Sequence, residues 1–300
     1  MKILYTKIKT LLILAIGFFA AVGILSLTQG HSVQAEAPDD SLTAQVAALK
    51  AQVAALQAKT APISVTGTDL TITGVNVHIV SGSGSTSDHT LNGAHVPVPR
   101  SLPTGLGNLI LGYNEGGSSH YARTGSHNLV LGDHNSYSGF GGIVVGIFNT
   151  ISGPYATITG GTNNTASGEQ SSITGGMNNT ASGPYTWVGN GIGNDADGKF
   201  ASVCGGTGNT ASGERSAVCG GIANTASGLD SVVSGGTANT ASSENSVVCG
   251  GTGNYARGVS SVVDGGFVNT ASGKHAVVSG GSHLIQKAED GWTGGKYQSP

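Results

Sequence analysis

The spacing of apolar positions changes along this chain, and each spacing predicts a different element. Leu11 to Leu27 is a continuous apolar run behind a basic head of Lys2, Lys7 and Lys9, and Val33-Gln34-Ala35 follows as a small-residue stretch. That order predicts an export signal over residues 1–35, either cleaved near Ala35 or retained as an N-terminal anchor. Leu42, Val46, Leu49, Val53 and Leu56 then alternate steps of four and three. Valine at one core position and leucine at the other, with Ala, Gln and Lys around them, predict a short α-helical coiled coil over residues 41–59. So few heptads are marginal alone and need the support of a neighbouring oligomeric domain. Pro62 ends the helix. Leu70, Ile72, Val75, Val77 and Ile79 alternate as strands do between Ile63 and Val80, and Ser81 to Gly107 reads as an irregular loop rich in Ser, Gly and Pro.

Beyond this region the pattern becomes periodic. Asn149, Asn164, Asn179, Asn194, Asn209, Asn224, Asn239, Asn254 and Asn269 recur every 15 residues, in a unit that reads S-x-V-x-G-G-x-x-N-T-A-S-G-x-x. A strict short period predicts stacked repeats. The fold class is therefore all-β, a parallel β-roll or β-solenoid of 15-residue repeats behind the coiled coil. Residues 108–141 hold two degenerate rungs, Asn108–Gly112 and Asn128–Gly132, with an insertion between them. The regular array runs over residues 142–285, and residues 286–300 read as a frayed or capping tail.

Each unit carries two short extended pieces. One is centred on the column Ile158, Ile173, Val188, Val203, Val218, Val233, Val248, Val263 and Val278, and the other on Ala166, Ala181, Ala196, Ala211, Ala226, Ala241, Ala256 and Ala271. Facing inward, a branched residue meets an alanine. Glycine pairs such as Gly160-Gly161 permit the turns, and asparagine tolerates the left-handed region while its side chain bonds from rung to rung. Rungs about 4.8 Å apart make nine of them a rod of roughly 40 Å. One such coil encloses little beyond a Val or Ile and an Ala per rung, which predicts that copies must pack together. The outward column Thr159, Thr174, Cys204, Cys219, Ser234, Cys249 and Ser279 is small and suits close approach of a symmetry mate.

Composition narrows the classes further. Glycine is 51 of 300 residues, with 10% charged and 5% aromatic. Glycine does not recur every third position, which excludes collagen, and the phased Val/Ile column argues against a flexible linker. All acidic residues lie after Ala35, as do ten of the 13 basic ones, so the exported form is near −6. Without a basic patch, nucleic acid and anionic membrane surfaces are not expected partners. Membrane attachment is expected only if the N-terminal segment is retained.

The array resembles the head domain of YadA-like trimeric autotransporter adhesins. The resemblance rests on the S-x-V/I-x-G strand followed by A-S-G, as in Ser216-Ala217-Val218-Cys219-Gly220 and Thr225-Ala226-Ser227-Gly228, and extends from about Asn108 to Ile285. It implies a left-handed parallel β-roll, trimeric, coaxial with coiled coils, exposed at the bacterial surface and used for adhesion. The family's unit is one residue shorter than this one with its doubled glycine. The family also places its stalk and membrane anchor after the head, whereas here the heptads precede it and no anchor strands follow before Pro300.

Candidate chemistry is sparse. Asp195 and Asp197 replace the Thr and Ser of their unit and give Asn194-Asp195-Ala196-Asp197-Gly198 the look of a calcium loop; a trimer would make them a ring of carboxylates. The unit lacks the full ligand set of such a loop, so they are weak metal candidates. Cys204 and Cys219, one rung apart, allow a disulfide in an exported protein or serve as small residues of their column. His120, His127 and His134 offer no tight ligand motif. Without a nucleophile elbow or paired carboxylates at catalytic spacing, neither an enzyme nor a cofactor is expected. Thr165/Ser167 and their repeats, such as Thr180/Ser182 and Thr225/Ser227, form outward hydroxyl ladders that Asp195/Asp197 and Tyr255/Arg257 interrupt. The expectation is an exported, secreted or cell-surface homotrimer that adheres to a host or matrix surface ligand or serves architecture. The alternatives are a soluble β-solenoid that binds ice or glycan through the Thr/Ser ladders, and a passive spacer.

Overall fold

The computed structural model describes residues 40–80, 104–114 and 121–295, and the backbone alone of 89–91 and 97–99. The export-signal reading falls outside the described residues. The chain divides into two compact units, residues 1–77 and 78–300.

In the first unit, α1 (Asp40–Thr60) matches the heptad segment, with Asp40 in its first turn and Lys59 in its last, as the helix dipole favours. No residue of this helix is buried, and the heptad positions Leu42, Val46, Leu49, Val53 and Leu56 are 44–63% exposed. After Pro62 the chain forms an antiparallel hairpin of β1 (Ile63–Thr66) and β2 (Asp69–Ile72), with Ile63 opposite Ile72. Gly67, at φ 62°, supplies the left-handed turn residue. The alternation to Val80 overreaches: the strands stop at Ile72, where Gly74 turns the chain at φ 74°, and Val75, Val77 and Ile79 lie in coil.

The second unit begins with a correction. Within the segment that reads as a loop, β3 (His89–Leu91) pairs antiparallel with β4 (Pro97–Pro99). Prolines lack the N–H that a central strand needs, but a two-stranded pair has only edges. From Leu109 onward the chain winds a parallel β-solenoid. One sheet has 13 strands, from Leu109–Leu111 to Trp292–Thr293, and the other has 11, from Ser136–Tyr137 to Ile285–Gln286. They are called here the valine sheet and the alanine sheet. From Ser136 onward the chain alternates between the two, and each interior strand pairs with its equivalents one rung back and one rung on, as Val203 does with Val188 and Val218.

The rung is not uniform. Leu129 pairs with Ile143 and Ile143 with Thr157, steps of 14 residues, whereas Thr157 pairs with Ser172, a step of 15. The added residue is a second glycine: Gly146 stands alone at its corner, and Gly160-Gly161 stand together one rung later. A further line of contact, absent from the two-piece reading of the unit, joins Ile147 to Thr162, Met177 and onward to Ser282 by single parallel bridges. Part of the segment read as a tail continues the solenoid. Ile285–Gln286 pairs with Thr270–Ala271 and Trp292–Thr293 with Val277–Val278, so the chain completes another rung. Leu284, Gln286 and Thr293 stand where the repeat has Asn, Ala and Val, which hid that rung from the pattern.

Each rung encloses more than a valine and an alanine. In the rung that starts at Ser216, the residues Ser216, Val218, Asn224, Ala226 and Gly228 all point inward and are buried. The Val/Ile column from Ile158 to Val278 and the Ala column from Ala166 to Ala271 are at 0% exposure throughout. Nearer the N-terminus, Tyr137 and Ile151 occupy the alanine positions, so the core there is filled by larger side chains.

The asparagines run up the inside and bond from rung to rung as expected, but they do not sit in the left-handed region. None of Asn149 to Asn269 in this ladder has a positive φ; the left-handed residues are those just before, such as Asn163, Asn178, Ala223 and Val268. Each ladder asparagine bridges rungs. Asn209 Nδ2 donates to the carbonyl of Gly205 in its own rung (2.9 Å) and of Gly221 in the next (3.0 Å). Its Oδ1 accepts the backbone N–H of Asn224 at 3.0 Å. The same pattern repeats until Asn269 Oδ1 accepts the N–H of Leu284. Every corner carbonyl and the buried amide are thus paired, which a buried backbone requires.

Candidate binding surface

The solenoid presents four kinds of surface line. On the alanine sheet, the threonines Thr165, Thr180, Thr210, Thr225, Thr240 and Thr270 point outward half-buried, and the serines two residues on, Ser182 apart, are exposed. These are the expected hydroxyl ladders, spaced by the rung. They break at Tyr255/Arg257, where the Arg257 guanidinium lies 4.3 Å from the Tyr255 ring centre, and at Asp195/Asp197.

Asp195 is half-buried on this face. Burial, with a hydrogen bond to Asp197 and the charge of Asp197, pushes its carboxyl up to about 6. The Oδ1 of Asp195 has no partner, while Asp197 accepts a hydrogen bond from Ser182 Oγ of the preceding rung. The two carboxyl groups therefore resist ionising together.

The outer side of the valine sheet is more apolar. One outward column runs Ser172, Trp187, Ser202, Ala217, Val232, Val247, Val262, Val277 and Trp292, and most of its members are half-buried. The neighbouring outward column holds the cysteines. Cys204, Cys219 and Cys249 are exposed free thiols, so the disulfide considered for Cys204 and Cys219 is not formed. Partial burial and then the neighbouring Cys219 raise the Cys204 thiol.

The single-bridge line adds exposed apolar side chains at Met177, Ile192, Ile222 and Phe267, 43–55% exposed. At the opposite corner, every rung from Tyr155 to Asp290 sets one non-glycine residue in the left-handed region, at φ between 53° and 62°. Those side chains leave the corner in register and meet rung to rung. Tyr185 stacks on Phe200 with centroids 5.0 Å apart. Arg215 grips Asp230 with Nε–Oδ1 2.6 Å and Nη2–Oδ2 2.7 Å, which raises the guanidinium and lowers the carboxyl.

Sequence reasoning missed one cluster on this corner. The donor atoms of His275, Glu289 and Asp290 lie within 4.8 Å of one another, with His275 Nδ1 at 2.7 Å from Asp290 Oδ1. All three are exposed, and Lys274 already faces Glu289 at 3.5 Å. The signal was the 15-residue step from His275 to Asp290. Of the earlier histidines, His134 packs between Tyr121 and Phe148 at 5.3 and 5.0 Å, and His120 lies outside the described residues.

Among the described residues no helix is long and apolar enough to cross a membrane. No protein-family model matches this sequence, and no match is found among curated proteins.

Proposed function

We propose that this chain is an exported, non-enzymatic protein of the bacterial cell surface, which assembles as a homotrimer through its N-terminal helix and uses its β-solenoid for adhesion or architecture. The observation that carries the reading is the bare heptad stripe of α1, five Leu and Val side chains on a helix with no buried residue. An isolated amphipathic helix of this length is marginal in water, and sister helices cover such a stripe by knobs-into-holes packing. The outer valines Val232, Val247, Val262 and Val277 supply a second apolar line for the same assembly. The resemblance to YadA-like heads favours three copies and adhesion, and the basic head and apolar run before Ala35 favour export. Light scattering on the purified full-length or processed chain tests the assembly: a threefold mass is expected, and a stable single-chain mass overturns it.

A second reading draws on the evenly spaced threonines of the alanine sheet. A soluble β-solenoid that binds ice would use that ladder, and thermal hysteresis activity would favour it over adhesion.

A further inference from the structure

The chain has two tryptophans, Trp187 and Trp292, seven rungs apart in the same outward column of the valine sheet. Both are held in the same way. Trp187 Nε1 donates to Thr174 Oγ1 at 3.2 Å, and Trp292 Nε1 donates to Ser279 Oγ at 2.8 Å, in each case a hydroxyl of the preceding rung. In both, glycine stands two residues on. A Cβ at Gly294 would lie 2.8 Å from Cζ2 and Cη2 of Trp292, and one at Gly189 would meet the Cys204 carbonyl oxygen first and then Cζ2 of Trp187 at 3.0 Å. Between Thr159 and Ser279 that position otherwise carries Thr, Cys, Ser or Asp, so glycine and tryptophan change together. Each indole is thus laid along the sheet over a gap left for it and pinned by its N–H, while 40% of Trp187 and 68% of Trp292 stay exposed.

We infer that these pinned indoles, Trp187 foremost, are stacking platforms for a neutral polysaccharide with β-linked pyranose rings. This deepens the adhesive reading by naming the ligand class. An immobilised aromatic has little rotamer entropy left to lose on binding, which favours affinity. Its electron-rich face attracts the C–H edge of a sugar ring as it does the positive edge of another arene. The surroundings of Trp187 fit hydroxyl-rich ligands: Ser172, Thr174 and Ser202 lie on the adjacent rungs, and both outward columns are uncharged from Thr157 to Cys249. Nucleic acid would need cations there. Trp187, set between Ser172 and Ser202, also stands apart from the apolar line Val232 to Val277 that a protein partner would cover.

The pair of tryptophans makes intrinsic fluorescence a direct readout. The full chain is titrated with chitohexaose and cellohexaose, with sucrose as control, while acrylamide quenching is followed. A saturable blue shift and loss of quenching with a β-linked oligosaccharide are expected. Trp187→Ala should weaken the affinity about tenfold, and Thr174→Val, which unpins the ring without removing it, by a smaller factor. Emission that neither oligosaccharide moves, or equal affinity in Trp187→Ala, overturns the inference. So does an indole already shielded from acrylamide in the free protein, because sister copies then cover it. Light scattering on the same samples separates this outcome from failure of the trimer.

Discussion

Residues 40–77 and residues 121–295 both place branched apolar side chains at regular intervals, with opposite results. In α1 each heptad residue is exposed, whereas in the solenoid each Val or Ile of the inner column is completely buried. The difference lies in what the period returns to. A heptad brings its apolar residues to one face of one cylinder, and nothing in the same helix lies opposite that face. A solenoid rung turns back at its glycines, so the same chain supplies the alanine that faces each valine. Regular spacing alone does not make a core; a core needs a second surface, and among the described residues the solenoid has one.

The largest expected effect comes from breaking the side that lacks its own core. Leu49→Asp puts a charge into the bare stripe and, under the proposed trimer, should bring the expected threefold mass down to that of one chain in light scattering. The strand signal in circular dichroism should persist, because the solenoid core does not involve Leu49. Within the solenoid, the severest single change should be Asn209→Ala. It leaves the Gly205 carbonyl and the N–H of Asn224 without a partner, while the Gly221 carbonyl keeps the N–H of Thr207. At about 1–3 kcal/mol for each of these two groups left unpaired, some of it relieved by relaxation, a loss of roughly 2–4 kcal/mol is expected in denaturant unfolding. Thr210→Ala, one residue on and facing outward, should change stability by less than about 0.5 kcal/mol. Ala226→Val sharpens the contrast between the two ends of the solenoid. It overfills a rung closed around alanine and should cost about 1–3 kcal/mol, although Ile151 fills the equivalent position near the N-terminus without exposure.

Apart from the Thr210→Ala control, the smallest effect depends on pH. Unfolded Asp195 titrates near its ordinary 3.8 and folded Asp195 at about 6. Between these values the folded chain holds more protons, so the residue's contribution is best below the lower value and is lost as pH rises through the upper one. Asp195→Thr, which restores the repeat, should therefore raise the melting temperature at neutral pH and give little gain near pH 4. The carboxyl is only half-buried, so solvent screening holds the gain to about 1 kcal/mol.

Much of this fold was legible in the sequence because the period is strict. The Val, Ala and Asn columns, the outward Thr and Ser, and the two-strand rung all follow from a 15-residue register and the period-two alternation of strands. What escaped has identifiable causes. The final rung was hidden because Leu284, Gln286 and Thr293 change its signature residues while the backbone bonds continue, as from Ser272 N to Gln286 O. The hairpin at Pro97–Pro99 was hidden because proline argues against strands. The rung-to-rung bonding of the asparagines was legible, but their left-handed placement was not met, because the positive φ falls on the residue before. The Trp–Gly pairing was missed because it shows only when outward columns are compared across rungs. The helix over Asp40–Thr60 was legible from its heptads, but what covers its apolar stripe is not written in that segment.

Amide hydrogen exchange on the Leu49→Asp chain, under conditions where light scattering shows single molecules, tests the contrast most directly. The backbone N–H groups of Asn164 to Asn269, each held by the asparagine of the rung before, are expected to stay the most protected while those of residues 40–60 exchange freely. Loss of protection in the asparagine ladder together with the helix would contradict a self-sufficient solenoid.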